Sequence, residues 1–194
     1  MKYCSQCGST VSQKIPPGDN LPRFVCDNCQ TIHYQNPKII AGCIPEWDNK
    51  ILLCKRAIEP RYGLWTLPAG FMENLETAHQ GASREAIEEA NASVINLSLF
   101  CTFSIPHISQ VYMMFRGELI DESFAPGPES LDVELFAESD IPWGEIAFPT
   151  IRETLKLYNR DRQQGKFLLH CADIIRPWVM LDSRNAYLKN LVSH

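Results

Sequence analysis

No apolar run in this sequence is long enough to cross a bilayer. The longest, "KIIAGCI", "KILLCK" and "KFLLHCA", fall far short of the roughly 20 residues that a spanning helix needs. A charged-then-apolar leader is also missing, since Cys4 and Cys7 follow the first residues at once, so a cytoplasmic protein is expected. Positive charge is in deficit. Lys and Arg number 18 against 23 Asp and Glu, for a net charge of −5, which argues against a general nucleic-acid binder while leaving a local basic patch open. Internal repeats and low-complexity stretches are absent. With 45% apolar and 21% charged residues the chain has a globular composition, and its 194 residues suit one ordinary domain, or one domain plus a small module.

Cysteine, by contrast, is plentiful. Eight in a chain without a secretory signal point to a reducing compartment, where thiols bind metal more often than they pair. "CSQC" (Cys4, Cys7) and "CDNC" (Cys26, Cys29) are two C-x-x-C knuckles separated by eighteen residues, a spacing that reads as a four-thiolate Zn²⁺ site. Disulfides and a redox C-x-x-C are the alternatives. "PPGDN" between the knuckles breaks any long element, so the metal is expected to carry much of the folding energy of residues 1–36. Zinc ribbons often bind nucleic acid, but here Lys2, Lys14 and Arg23 are nearly balanced by Asp19 and Asp27, and the basic stripe that a phosphate backbone needs is missing. A structural or dimer-forming ribbon is the reading that remains. Cys43, Cys54, Cys101 and Cys171 lie singly in apolar runs and are read as buried small hydrophobes. His33, His107 and His170 are read as structural.

From residue 37 onward the pattern is that of strands with helices set against them. "KIIAGCIPE" and "KILLCKRA", joined by "WDN", predict a hairpin. "LSLFCTFSI", "QVYMMFRGELI" and "SLDVELFA" predict further strands, with a break at Pro106. Thr77 followed by Gln80 forms a capping box that opens a helix, and Asn91 can take the left-handed conformation that closes it. Ala78, Ala82 and Ala86 make a smooth stripe for packing on a sheet. A second helix is predicted to begin near Thr150, with Glu153 completing another capping box and Gly165 marking its end. The fold class is an α/β sandwich.

The first helix raises a problem. Glu85, Glu88 and Glu89 stand at i, i+3 and i+4, so three carboxylates share roughly a third of its circumference. Like charges at that spacing repel by a few tenths of a kcal/mol per pair, and only Arg84 is near enough to compensate. Such a face is unfavourable alone, and it is either a solvated acidic face or a hard-oxygen site for a divalent cation.

The stretch "GFMENLETAHQGASREAIEEANA", Gly70 to Ala92, has Gly70, five residues, Glu76, seven residues, Arg84-Glu85, then Glu88-Glu89. It resembles the Nudix box, Gly-x5-Glu-x7-Arg-Glu-hydrophobe-x-Glu-Glu-x-Gly-hydrophobe. Asn91 replaces the closing glycine, Leu75 stands where the family commonly has glycine, and Ala86 and Ala92 are smaller than the usual aliphatics. The resemblance implies a Nudix α/β/α sandwich with a mixed sheet, in which Glu85, Glu88 and Glu89, with Gly70, hold the catalytic Mg²⁺ or Mn²⁺. Arg84 and Glu76 orient them. A further acid, Glu129 or its rival Asp132, is expected from the loop entering the "SLDVELFA" strand.

The implied chemistry is hydrolysis of the diphosphate in a nucleoside diphosphate derivative, with a small dinucleotide or nucleotide sugar as substrate and a homodimer as the assembly. "IPHISQVYMMF" offers apolar candidates for that contact. A ribbon ahead of a Nudix domain resembles two branches. The NADH pyrophosphatase group carries Ser-Gln-Pro-Trp-Pro-Phe-Pro-x-Ser after the box, which "LFCTFSIPHISQVYMMF" lacks. The other branch is similar to the plant plastid FAD and ADP-ribose pyrophosphatases and their bacterial relatives. It matches from about Phe24 to Arg176 and includes "GLWTLPAG" and "FAPGPESLDVELFAESDIPW". FAD is therefore the first expectation and ADP-ribose the second, with NADH as the alternative. A non-catalytic sensing module is the reading from another class, although such modules usually lose box glutamates and here all are present. Arg56 is a candidate phosphate or ribose contact, and Tyr62, Trp65 and Phe71 are candidate walls for a flat ring, with plain core packing as the alternative, above all for Trp65. The expected organisation is a zinc ribbon over 1–36, a Nudix domain over 37–176 and a C-terminal extension over 177–194.

Overall fold

The computed structural model describes residues 1–175 and 179–182, and it divides into two units, Met1–Pro37 and Lys38–His194. The expected extension over 177–194 lies outside the described residues apart from a strand at Val179–Asp182.

The first unit is an antiparallel sheet of three short strands, β1 (Val11–Lys14), β2 (Arg23–Cys26) and β3 (Ile32–His33), in that order. Only Cys4, Pro16, Val25 and Cys26 are buried in it, so apolar burial alone cannot fix its fold.

The second unit is one mixed sheet between two helices. Its elements are β4 (Lys38–Trp47), β5 (Lys50–Arg56), β6 (Trp65–Thr66), β7 (Ala69–Phe71), α1 (Ala78–Ala90), β8 (Val94–Ile105), β9 (Gln110–Leu119), β10 (Ser130–Phe136), α2 (Pro149–Gln163), β11 (His170–Ile175) and β12 (Val179–Asp182). The sheet runs β10-β5-β4-β9-β8-β11-β12, with β6 added on β5 and β7 on β4. The β4–β9 and β11–β8 pairs are parallel and the rest antiparallel.

Successive side chains of β4 serve opposite layers, as strand geometry demands. Ala41 and Cys43 pack with Ala82, Ala86 and Phe115 under α1, whereas Ile44 joins Phe100, Phe103, Met114, Ile151 and Leu155 under α2. The predicted alanine stripe thus lets α1 approach the sheet closely.

The "WDN" hairpin forms as predicted, with Asp48 and Asn49 both at positive φ (42° and 63°), the geometry that suits a two-residue turn between twisted strands. β4 and β5 stay paired only near that turn, at Glu46–Ile51 and Trp47–Lys50. Further along they separate, and β6 and β7 fill the opening. That splay delivers Gly70 from β7 onto the face of α1.

Three expectations need correction. α2 begins at Pro149 after Phe148, and no side chain caps it. Proline at the first position supplies the right φ and lacks the amide that would need a partner, while Thr150 is buried inside the helix rather than capping it. Cys171 is exposed, unlike the buried Cys43, Cys54 and Cys101. In "IPHISQVYMMF", Ile105, Met114 and Phe115 are core residues, so among its large aliphatic and aromatic side chains only Ile108 is exposed.

Candidate active site

The acidic helix is closed at both ends as its sequence predicts. Thr77 Oγ1 accepts from Gln80 N at 3.2 Å while Gln80 Oε1 accepts from Thr77 N at 2.8 Å, a reciprocal pair worth about 1 kcal/mol. Asn91 adopts φ 48° and ψ 28°, and its N–H donates to the Ile87 carbonyl at 2.8 Å.

Along the face between these ends, Arg84 organises the carboxylates. Its Nε and Nη2 donate to the two oxygens of Glu76 at 3.0 and 2.9 Å. Nη1 donates to Glu85 Oε1 at 2.7 Å and to Glu88 Oε2 at 2.8 Å, and Nη2 also reaches the Phe71 carbonyl at 3.1 Å. Glu76 takes a further bond from Glu73 N at 2.7 Å. Hydrogen bonds from Arg84 and then from Glu73 hold the Glu76 carboxyl down to about 2. This fork-shaped recognition suits arginine, since a single ammonium with three donors cannot give the two parallel bonds to Glu76 together with those to Glu85, Glu88 and Phe71.

Glu85 and Glu89 are buried, at 7% and 6% exposure, whereas Glu88 is exposed. Burial is the first cause that raises the Glu85 carboxyl, opposed by Arg84 and aided by the charges of Glu88 and Glu129. Glu89 is pushed up to about 8, chiefly by burial and then by Glu85, with Glu129 adding to it and Arg56 opposing. Gly70 sits against this group: a Cβ there would fall 2.3 Å from Glu85 Oε1.

Glu85, Glu88, Glu89 and Glu129 line one cleft of about 750 Å³, together with Gly70, Arg56, Phe71, Tyr112 and Phe148. The carboxylates are suited to a hard divalent cation: they are oxygen donors, two are buried, and Glu89 carries a raised titration that a cation would reverse. Asp132, the rival to Glu129, is exposed, binds the Val133 amide at 2.9 Å and does not line the cleft.

Of the four candidate substrate contacts, two reach the cleft. Arg56 is held by donation from its Nε to the Pro60 carbonyl at 3.0 Å and by stacking over Phe148 at 5.1 Å, and it forms no ion pair among the described residues. Phe71 is half exposed, with Lys38 Nζ 4.8 Å above its ring. Trp65 is instead a core residue, edge-on to Phe136 at 4.9 Å, and Tyr62 is exposed and does not line the cleft. Tyr112 and Phe148 supply aromatic walls that sequence reasoning missed. Phe148-Pro149 at a helix start was the available signal for one, and nothing local pointed to the other.

In the first unit, the sulfurs of Cys4, Cys7, Cys26 and Cys29 all lie within 4.8 Å of one another, with Cys4–Cys29 at 3.7 Å and Cys7–Cys26 at 3.4 Å. A tetrahedron with Zn–S arms of about 2.3 Å has sulfurs about 3.8 Å apart, so this set fits Zn²⁺. Backbone amides of Gln6, Asn28 and Cys29 donate to these sulfurs at 3.4 Å, and His33 Nε2 lies 3.3 Å from Cys4 Sγ. Such bonds to the ligands orient them and stabilise the thiolates.

These features agree with sequence comparison. Residues 37–156 match the NUDIX domain family and residues 2–35 match the Nudix N-terminal zinc-ribbon family. The chain belongs to the Nudix family. It is 31% identical over 164 residues to the NAD-capped RNA hydrolase NudC of Vibrio atlanticus (strain LGP32), covering 80% of this chain and 58% of that protein. The protein of the same name from Escherichia coli O1:K1 / APEC is 28% identical, covering 80% and 61%. The chain thus spans about three fifths of the length of these relatives. Among solved structures, a NUDIX hydrolase from Nitrosomonas europaea superposes with a TM-score of 0.84 at 59% identity, covering 89% of this chain and 99% of that one. An ADP-ribose pyrophosphatase from Streptococcus suis shares the fold at 20% identity, with a TM-score of 0.58 over 70% of this chain and 99% of that one. Among the described residues no helix is long and apolar enough to cross a membrane.

Proposed function

We propose that this protein is a metal-dependent diphosphatase of dinucleotides, cleaving FAD to FMN and AMP, with ADP-ribose, giving AMP and ribose 5-phosphate, as the second substrate. The observation that carries this reading is that one cleft is lined by both kinds of group: the carboxylates Glu85, Glu88, Glu89 and Glu129, and with them a cation, Arg56, and the aromatic side chains Phe71, Tyr112 and Phe148. A diphosphate with a planar ring attached matches that combination.

Glu85, Glu88 and Glu89, with Glu129, would hold Mg²⁺ or Mn²⁺, and the Gly70 backbone lies beside them. When bound, the cation polarises the phosphorus and lowers the pKa of water. Arg84 and Glu76 keep the carboxylates in register. Arg56, already ordered by Pro60 and Phe148, receives a phosphate or ribose oxygen without first breaking an ion pair to any of the described residues. Water attacks a diphosphate phosphorus, a carboxylate at the cleft accepts its proton, and the bridging oxygen leaves with the other product. Changing Glu88 or Glu89 to Gln keeps the shape and removes a charged ligand, so turnover should fall about a hundredfold or more if activation supplies several kcal/mol.

The branch similar to the plastid-type FAD and ADP-ribose pyrophosphatases is favoured because the NADH signature is missing after the box. A second reading, NADH or an NAD-capped RNA, is supported by the names of the NudC relatives. Parallel hydrolysis of FAD, ADP-ribose, NADH and NAD-capped RNA under Mg²⁺ and Mn²⁺ separates the readings. Cleavage of NADH with kcat/KM about tenfold above both FAD and ADP-ribose would overturn the branch assignment and leave the hydrolase reading intact. A homodimer is part of the proposal, and a monomer by light scattering at micromolar concentration counts against it.

A further inference from the structure

The loop that carries Glu129 is fastened to the end of α1. Two of that helix's last carbonyls would otherwise need partners. The Ala90 carbonyl accepts from Ala125 N and the Glu89 carbonyl from Gly127 N, both at 2.9 Å. The fit is close enough to require glycine: a Cβ on Gly127 would fall 1.8 Å from the Glu88 carbonyl oxygen. Two residues further on, Glu129 lines the cleft, and its own carbonyl is fixed by Ala57 N at 2.8 Å.

Two more bonds hold this loop, and both come from one side chain. Asn91 Nδ2 donates to the Ala125 carbonyl at 3.0 Å and to the Pro126 carbonyl at 3.3 Å. A glycine at 91 would satisfy the left-handed backbone equally well and keep every backbone bond. It would make neither of these two. The asparagine therefore adds something beyond closing the helix.

We propose that Asn91 is a positioning residue, whose amide ties the 124–130 loop to the end of α1 and so sets where Glu129 stands relative to Glu85 and Glu89. Sequence spacing shows Asn91 only as a tolerated substitute for glycine; the structure assigns its side chain a task. This inference rests on the reading that Glu129 serves the metal-dependent reaction.

The test compares Asn91→Gly, Asn91→Asp, Glu129→Gln and the Asn91→Gly/Glu129→Gln double variant, using whichever of FAD, ADP-ribose and NADH the wild type cleaves fastest. Mg²⁺ is the titrated variable. Asn91→Gly should lower kcat about tenfold and raise the Mg²⁺ concentration for half-activity, with substrate KM changed less than about twofold, the size expected when a supporting group for a metal ligand is lost. Asn91→Asp should be at least as impaired, because its carboxylate would face two carbonyl oxygens. In the Glu129→Gln background, Asn91→Gly should add no further loss, since the two act as one unit. Losses that simply multiply, or an unchanged kcat and Mg²⁺ dependence in Asn91→Gly while Glu129→Gln is impaired, would overturn the inference and leave the role of Glu129 standing. Full activity in Glu129→Gln would remove the reading of Glu129 itself, and this inference with it.

Discussion

Gly70 leaves no room for a side chain against Glu85: an ideal Cβ would lie 2.3 Å from Oε1 and 2.5 Å from Cδ. The glycine is needed here for close approach rather than for an unusual φ. Gly70→Ala should therefore displace Glu85 from its place beside Arg84 while leaving the sheet paired. A displacement of about 1 Å at a reacting centre costs about a hundredfold in rate. Circular dichroism should be unchanged while kcat falls by that factor. Wild-type turnover in this variant would show that the position of Glu85 is not critical.

The raised titration of Glu89 gives the metal-free protein a defined pH response. Its carboxyl goes from an ordinary value of 4.5 to about 8 on folding, through burial first and the Glu85 charge second. Below 4.5 both states are protonated and folding carries no penalty. Between 4.5 and 8 the unfolded chain releases the proton and the folded one keeps it, so this group costs more stability as pH rises, on the order of a few kcal/mol in full. Glu89→Gln removes the titration. Urea melts of Mg²⁺-free protein should show wild type losing stability relative to Glu89→Gln across that window, with Mg²⁺ restoring wild type at pH 8. Parallel curves for the two proteins would rule out this account of Glu89.

The parts read most fully from the sequence were those whose partners are local. The capping box of Thr77 and Gln80, the positive φ of Asn91 and the Arg84 links to Glu85 and Glu88 all depend on spacings within a turn or two of helix, and the four thiolates, though paired between knuckles, come from a repeated C-x-x-C motif, so all are written directly in the chain. Trp65 could be read either as a ring wall or as core, and it is core: it is 6% exposed and packs on Phe136. The walls found in the cleft, Tyr112 on β9 and Phe148 before α2, come from distant segments that meet only when the sheet closes. The tie from Asn91 to residues 125 and 126 escaped for the same reason, since its partners lie 34 and 35 residues away. Thr150 had the right spacing to Glu153 for a cap, but Pro149 opens the helix one residue earlier and leaves Thr150 buried inside it.

The first unit has almost no core to stand on, as only Cys4, Pro16, Val25 and Cys26 are buried between residues 1 and 37. Zinc should supply most of its folding free energy. Protein purified without added zinc should contain about one zinc per chain, as one closed four-thiolate site requires. Replacing Cys26 with Ser should lower that content and expose residues 1–37 to proteolysis. A zinc-free protein that stays resistant to proteolysis there would exclude a structural role for the metal.

Leu75 offers a test in which stability should rise. Its φ is +70°, and its side chain is fully exposed at the loop before Glu76, so it occupies a conformation that disfavours a Cβ without burying anything in return. The left-handed region costs a residue with a side chain about 1–2 kcal/mol. Glycine escapes that cost but loses about 0.5–1 kcal/mol through the greater freedom of the unfolded chain. Leu75→Gly should thus stabilise the protein by about 0.5–1 kcal/mol, raising Tm by about 2 °C for a chain of this size. No catalytic group touches Leu75 among the described residues, so kcat should be unchanged. Differential scanning calorimetry and steady-state kinetics on the same preparation check both halves. A lower Tm would mean that Leu75 is held by a contact in solution, and a lower kcat would mean that the stiffness of this loop serves Glu76.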